Sequence, residues 1–600
     1  MKAMLFLGLT LLSTFTLANS VTFNVVGYPN ISETFGVSIN GQITRLSTTP
    51  VTLPLWSGTV ADVSSSFSSS SEITYKYVAL DATGQVVKME EAFQRSLDKN
   101  AVQTPYDVFD REVTKARLPD VPLVYEPWHM SKTKIFDDTV IATIHLVGAP
   151  DQFEAMLQKP EGALPMKVNF RYINDKLVHN VDNVTFGISG KSSTEFNKQA
   201  FKFDFDTDHN QTFFSRPHLK LRSETSDPTF MREKLFIDML NVVGVPTQQG
   251  AWVRLYMNSQ PVGLYLMVDD IGGSFLKQTV HQGNPAIKHG TLWQMNAPLV
   301  ESQGDLRYLG PTMDQMEITQ ECYKMKNLGS NPSTAPMTQL MQLMKDLADF
   351  DPLAPGGRAF WESRLDLNGV LRNLAMEYLG GDWDAYWWSG SNFFLYFNPT
   401  MGDAGGKWQW IPTDFDGTFG DGDPTDTLTD YKTYADFSKH DRPLVTKLLF
   451  SNKEINQAFE TVLREIVGWA FKPDALFPRI EAYERMLAKD AAWDYSIVRT
   501  SPGKTNAWTI ADFHNSIAGP VENMGLGVKP WIEGRAKQLQ ASLNFVVEPG
   551  TQDRVKRAVK IPKGGSSDVL GSSGVSRPRL DNALMTFASA LFVAGMMIMM

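Results

Sequence analysis

The chain reads as an α+β protein in which a small all-β domain precedes a larger mixed domain, and three observations carry that reading. Residues 21–125 alternate in short apolar and polar runs ("VTFNVVGY", "FGVSING", "ITYKYVAL") broken by Ser and Gly clusters, the texture of half-buried strands joined by turns. Residues 130–545 mix strand-like runs ("AFKFDFD", "WVRLYMNSQPVGLYLMV") with helix-like ones ("DPTFMREKLFIDMLNVV", "MTQLMQLMKDLADF", "EINQAFETVLREIVGWAF"), strands mostly first and helices mostly later. With 600 residues, 42% of them hydrophobic, the chain is long and apolar enough for two cores.

In chain order, residues 1–20 come first. "MKAMLFLGLTLLSTFTLA" has one Lys, an apolar run and then small residues near Ala18 and Ser20, the pattern of a secretory signal. Within the β domain, "SSSFSSSSE" reads as a solvated loop. The acceptor sequons Asn30, Asn183 and Asn210 fit a secretory route, whereas proline blocks the one at Asn331. Cys322 is the single cysteine, so no disulfide can form within one chain and the core must carry the stability. A net charge of −10 excludes wrapping a nucleic acid, which needs clustered cations to displace counterions.

Three segments of the middle block carry chemistry. In "TFGISGKSSTEFNKQAFKFDFD" (185–206), Gly187, Gly190, Ser192 and Ser193 make a small-residue turn and Lys198 opens a strand. A flexible turn over phosphates with a strand lysine reaching them suits a nucleotide; a glycosylated surface hairpin is the competing reading. In "YLGGDWDAYWWSGSNFFLYFNP" (378–399), Asp384 followed by Asn392 has the order of a kinase catalytic loop, with an interval of eight positions where protein kinases use five. In "KWQWIPTDFDGTFG" (407–420), Asp414 and Asp416 would share a face if the strand before them continued, and two carboxylates suit a hard cation such as Mg²⁺.

Other readings stand beside the last one. The aspartates would cap a turn made by Gly417 and Gly420. "DFDGT" also matches the Asp-x-Asp-Gly-Thr signature of haloacid-dehalogenase-type phosphatases, although Pro412 interrupts the approach. A calcium loop counted from Asp414 would need Glu where Thr425 stands. Asp421 and Asp423 are expected to be solvated loop acids that raise the local cation concentration.

Residues 546–582 turn polar, rich in Gly, Ser and basic residues, and read as a stalk. The tail 583–600, "ALMTFASALFVAGMMIMM", follows the spacer "VSRPRLDN" and the small residues "GSSG". That order is a GPI-attachment signal with Ser572, Ser573 or Gly574 as the anchor residue; a transmembrane tail is the alternative.

Taken together, "GISGKSSTEFNKQAFKF", "LKLRSETSDPTFMREKLFIDMLNVVGVPT", "WVRLYMNSQPVGLYLMVDDI", "GDWDAYWWSGSNFFLYF" with "WQWIPTDFDGTFG", and "VKPWIEGRAKQLQASL" resemble the CotH family of atypical protein kinases over about residues 135–545. That family is known from bacterial spore coats and from the surface of mucoralean fungi. The resemblance implies an atypical kinase-like fold and phosphorylation of Ser or Thr on secreted or coat proteins with ATP and Mg²⁺, Mn²⁺ being an alternative. It implies that Lys198 contacts the nucleotide, that Asp384 is the catalytic aspartate, and that Asn392 and Asp414, with Asp416 second, hold the metal. Glu224 or Glu233 would pair with Lys198, while Asp227 and Arg232 look like a helix start and its buried arginine. Fungal members are also implied to act as invasins, binding an Hsp70-type chaperone on host endothelium through a surface loop. That loop should follow "TLWQMNAP", where "LVESQGDLRYLGPTMDQMEITQE" bears no recognisable counterpart. The alternative role is a GPI-anchored adhesin that keeps the scaffold without turnover.

Overall fold

In a computed structural model of the chain, the described residues are 20–555 apart from 62, 64–71, 99, 129–132, 134, 191, 206–210, 299–302, 312–320, 330–335, 403, 404, 423–430, 439 and 523. The signal segment up to residue 19, Asn210, Asp423, the anchor residues Ser572, Ser573 and Gly574, and the apolar tail lie outside them. Helices and sheets are mixed, with a β-rich region at the N-terminus. Among the described residues, no helix is long and apolar enough to cross a membrane.

The N-terminal strands are β1 (Val21–Val26), β2 (Thr34–Ile39), β3 (Gln42–Arg45), β4 (Leu55–Val60), β5 (Glu72–Leu80), β6 (Val86–Met89), β7 (Arg95–Asp98) and β8 (Asp107–Val108). One sheet runs β4-β1-β8; the other runs β3-β2-β5-β6 with β7 also on β5. The β2–β3 turn is Asn40-Gly41, both at positive φ, which is the backbone that matches strand twist in a two-residue hairpin. Phe23, Val25, Phe35, Val37, Tyr75 and Tyr77 fill the core of this region.

Next comes a closed barrel of β9 (Ala142–Val147), β10 (Met166–Ile173), β11 (Val178–Ser189), β12 (Ala200–Asp204), β13 (His218–Arg222), β14 (Gly250–Met257) and β15 (Gln260–Asp269), in the order β10-β11-β12-β13-β15-β14-β9. Alternation puts Phe201 and Phe203 inside and Lys202 outside. Phe186 stacks on Phe201 with ring centres 4.8 Å apart, and Phe170 meets Phe203 edge-on at 5.1 Å. Phe203→Ala is expected to cost about 3–5 kcal/mol, because a fully buried ring leaves a cavity its neighbours cannot fill. A denaturation midpoint unchanged from the parent chain would refute this.

The outer face of β14 and β15, with Trp252, Leu264, Leu266 and Val268, belongs to a second and larger core. That core is built by the helices Arg232–Val242, Leu367–Gly380, Lys453–Trp469, Pro473–Tyr495 and Val528–Leu543 and by an antiparallel sheet. The sheet runs β17-β16-β18-β19, from β16 (Leu292–Met295), β17 (Tyr323–Asn327), β18 (Phe393–Asn398) and β19 (Lys407–Pro412). Phe393 and Trp410 stack face to face across β18 and β19 at 3.8 Å, which holds the ends of the two strands in register. Val121, Leu123 and Val124 also lie in this core, so the chain crosses from the first region before residue 121. The first ten residues of the segment read as a stalk, 546–555, lie against it as well: Arg554 donates its backbone N–H to Leu123 O at 2.8 Å and pairs with Glu465. Cys322 is buried and free.

Candidate functional site

Arg222 is the last residue of β13, and because Leu219 and Leu221 point into the barrel, its guanidinium points out toward the helical core. There its Nε donates to Glu233 Oε2 at 3.0 Å, and its Nη2 pairs with Asp414 and lies 3.1 Å from Asp416 Oδ2. Glu233 sits in the first turn of the helix Arg232–Val242 and takes a second hydrogen bond, at 2.8 Å, from Gln248 Nε2. Gln248 Oε1 in turn accepts from the Thr413 hydroxyl at 2.9 Å, so the residue before Asp414 is tied back to the same helix. Glu224, at positive φ, lies beside Glu233, and one of its carboxyl oxygens has no partner among the described residues. Burial, with the neighbouring Glu233 carboxylate, pushes the Glu224 carboxyl well above the usual range.

The second half of the site comes from the end of the helix Leu367–Gly380. Asp366 caps its start by accepting from Gly369 N, and Gly381 ends it in the left-handed conformation, φ 64°, where a side chain is disfavoured. The chain turns there and delivers Asp382 and Asp384. Asn392 Nδ2 donates to Asp384 Oδ2 at 2.8 Å and to Asp384 O at 3.0 Å, which closes the eight-residue interval into one hydrogen-bonded loop. Asn392 and Asp414 both adopt positive φ (59° and 64°), a sparsely populated state for residues other than glycine that Asn and Asp tolerate best. β19 runs through Pro412 and stops; Asp414 and Asp416 lie in the turn beyond it, gathered by Arg222 instead of by a continuing strand.

The carboxylates crowd one another. Burial, then Asp414, pushes the Asp384 carboxyl up, against the pull of its hydrogen bonds and of Arg222. Asp382 is 1% exposed, its Oδ1 has no partner among the described residues, and burial with Glu377, Asp384, Asp416 and Asp414 holds its pKa well above the usual range. The Asp416 side chain is 46% exposed and sits among Arg222, Asp414, Glu233 and Asp384. Desolvation, with Asp414, Glu233 and Asp384, outweighs Arg222 and raises its pKa to about 7. A carboxyl whose folded pKa exceeds its unfolded one stabilises the fold only while protonated, so this contribution is lost as pH rises from about 4 to about 7. The melting temperature of Asp416→Asn is therefore expected to fall less between pH 5 and 8 than that of the parent chain; parallel curves would refute it. Among the described residues, no three His, Cys, Asp or Glu side chains converge as a metal cage.

Other residues singled out in the sequence lie elsewhere. Lys198, just before β12, is 5% exposed and pairs with Asp494 at 2.9 Å, donating also to Leu264 O at 2.7 Å. Neither Glu224 nor Glu233 is its ion-pair partner; Glu233 belongs to Arg222. Desolvation lowers the Lys198 pKa to about 8 despite Asp494. In the small-residue turn, Gly187 lies within β11 facing Pro165, Gly190 has φ 83°, Ser192 opens a short 3₁₀ turn, and the Ser193 hydroxyl donates to Ser189 O at 2.6 Å. This turn is held by residues 503–505: Asn197 N donates to Lys504 O at 3.0 Å, and Lys504 pairs with Glu195 at 2.8 Å. Asn30 and Asn183 are both exposed.

The expectation for Asp421 is corrected as well. Asp421 is not a solvated acid: it is 2% exposed, accepts from the Ser226 hydroxyl at 2.9 Å, and its carbonyl takes the Trp383 indole N–H at 2.8 Å. The indole of Trp383 lies against Gly417 and Gly422 of this loop, and that of Trp531 against Gly420. Asp227 accepts from the backbone N–H groups of Met231 (3.0 Å) and Arg232 (2.9 Å) and pairs with the fully buried Arg232 guanidinium, a helix start with its arginine as read from the sequence. Arg222 is the residue that sequence reasoning passed over. Its signal was the one arginine closing the alternating strand "HLKLR" ahead of an acidic first helical turn.

The family model described as CotH kinase protein matches residues 186–517, more than half of the chain, from within β11 through the helix Ile510–Ala518. The chain belongs to the CotH family. Invasin CotH3 of Rhizopus delemar is 30% identical over 577 residues, covering 92% of this chain and 90% of that one. Invasin CotH2 of the same fungus is 28% identical, covering 94% and 90%, and its Spore coat protein homolog 1 is 25% identical, covering 91% and 85%. The CotH similarity therefore reaches beyond the matched domain into the β-rich N-terminal region. A glucoamylase of Hypocrea jecorina aligns with 15% of this chain and 17% of its own at 21% identity and a TM-score of 0.13, too slight a likeness to bear on the CotH fold.

Proposed function

We propose that this CotH protein is an atypical Ser/Thr protein kinase with a kinase-like fold, carried to the cell surface or spore coat. The observation that carries the reading is the Arg222 junction. A strand cation paired with a helix glutamate and lying against Asp414, with an Asp384–Asn392 loop alongside, is the set of parts that phosphoryl transfer to a hydroxyl uses. Arg222 takes the part for which the sequence offered Lys198, since Lys198 is sealed against Asp494. The turn containing Gly187, Gly190, Ser192 and Ser193 follows β11 at the same end of the barrel where β13 ends in Arg222, and it is the proposed cover over the phosphates.

Asn392 and Asp414, with Asp416 beside them, supply hard oxygen donors that fit Mg²⁺, an ion that takes few carboxylates and completes its shell with phosphate and water. Mg²⁺ supplies neutralisation of the charge on the transferred phosphoryl group. Asp384 orients the substrate Ser or Thr hydroxyl and accepts its proton as the new O–P bond forms and ADP leaves. Its raised pKa makes it a better base, and Asn392 holds its second oxygen fixed. Arg222 binds phosphate oxygens with donors already aimed at the site.

The test is transfer of label from γ-labelled ATP to the chain itself and to generic Ser/Thr substrates with Mg²⁺. Arg222→Ala is expected to lower the rate by about 10²-fold or more, the scale of losing one fixed donor to developing charge. Mg-ATP at a hundred times its dissociation constant should add about 2.7 kcal/mol of stability. No label and no melting shift in folded protein would sink the kinase reading, and phosphate release from a phosphoester without ATP would favour the phosphatase instead.

The relatives named as invasins favour a second reading, an adhesin that engages a host-cell receptor such as an Hsp70-type chaperone. Receptor binding unaffected by Asp384→Asn would support it without excluding the first. Secretion, glycans at Asn30, Asn183 and Asn210, and a GPI anchor at Ser572, Ser573 or Gly574 complete the proposal. Release of the protein from cells by a phosphatidylinositol-specific phospholipase is the check on the anchor.

A further inference from the structure

A cavity of about 470 Å³ lies beside the β14–β15 hairpin of the barrel. Phe153, Met257 and Tyr265, which belong to the barrel core, line it together with Val262 and Trp493. Val498 stands on its rim with 89% of its surface exposed. Lys198 and Arg499 both reach a single oxygen, Oδ1 of Asp494, at 2.9 Å, and that oxygen also accepts from Leu264 N at 2.7 Å. Two cations thus share one carboxylate, which leaves a positive charge in excess beside apolar walls. Buried charge normally comes paired, because desolvation is costly. Two further polar atoms at the cavity, Tyr265 Oη and Arg499 Nε, are buried and have no partner among the described residues. Tyr265 is fully buried, and its ring lies 4.9 Å from Lys198 Nζ, so it cannot turn away to solvent.

Clefts of this size with apolar walls and a few convergent polar groups are where small ligands bind. We propose that this cavity binds a small organic monoanion with an apolar body, its acid group meeting Arg499 and Tyr265 and its body lying against Phe153, Val262 and Trp493. The cavity shares no lining residue with the Arg222–Asp414 junction, and its existence does not depend on phosphoryl transfer.

The probe is 8-anilinonaphthalene-1-sulfonate, a flat aromatic monoanion whose fluorescence rises on burial, titrated into the full chain beside its neutral counterpart N-phenyl-1-naphthylamine. Saturable binding at one site per chain is expected, with the neutral probe about ten-fold weaker or more. Arg499→Gln should weaken the sulfonate by about ten-fold while leaving the neutral probe unchanged, and Val262→Trp, at a half-buried wall, should abolish binding of both. Equal affinity for the two probes, or binding indifferent to Val262→Trp, would overturn the proposal. Should Arg499→Gln fail to fold, the comparison of the two probes on the parent chain still decides the question.

Discussion

Asp414→Asn is expected to reduce transfer of the ATP γ-phosphate by about 10³-fold and to remove most of the stabilisation by Mg-ATP. The change keeps the size of the side chain and its contact with Arg222 through Oδ1 but removes the negative charge, so a fold defect is not the expected cause. Losing one principal electrostatic element aimed at the developing charge is worth about 2.7–4 kcal/mol of barrier. Asp384→Asn provides the contrast. It should cost a similar factor in transfer yet leave the Mg-ATP melting shift in place, because Asp384 acts on the hydroxyl while Asp414 faces the metal and phosphates. The pair of measurements, initial rates of label transfer and melting with and without Mg-ATP, separates the roles. Asp414→Asn with full activity would end the assignment of this site.

Arg232→Met should produce a large loss of stability, about 3–5 kcal/mol, the scale for breaking a buried ion pair on one side only. Arg232 is fully buried, and besides Asp227 it donates from Nε to Phe419 O at 3.3 Å and from Nη2 to the Ser516 hydroxyl at 3.0 Å. Removing it leaves the Asp227 carboxylate with its backbone donors but without its counter-charge, and unties the helix Arg232–Val242 from the loop that carries Asp414. A fall in melting temperature of roughly 3–6 °C follows for a cooperative unit of about 400 residues. Asp227→Ala together with Arg232→Met should cost less than the sum of the single changes, since the two groups share one interaction. Additive losses would show that Arg232 acts through Phe419 and Ser516 alone. Activity in Arg232→Met should fall with stability, because Glu233, one residue on, holds Arg222.

Much of this was legible along the chain. The run "AFKFDFD", strand-like in the sequence, supplies β12 of the barrel with Phe201 and Phe203 inside and Lys202 outside. Asp227 ahead of "PTFMREK" read as a helix start, and the structure has it accepting from the first backbone donors. The Asp384–Asn392 pair and Asp414 stood out by residue type. Asp421 did not show its burial, because a short acidic run looks the same whether aromatic residues from distant segments close over it or not.

What the sequence determined by itself was local: which residues of a strand face the barrel, where helices start and stop, and which segments carry hard acids. These follow from side-chain direction and backbone hydrogen bonding over a few residues. Only the tertiary structure decided which cation meets those acids. Lys198 and Arg222 both flank barrel strands, yet Lys198 meets Asp494 of the helix Pro473–Tyr495, while Arg222 meets Glu233 and Asp414. The strand order β12-β13-β15 and the helices laid over it set that choice. An ion pair forms between charges brought within a few ångströms, and contacts that close come from chain segments far apart in sequence.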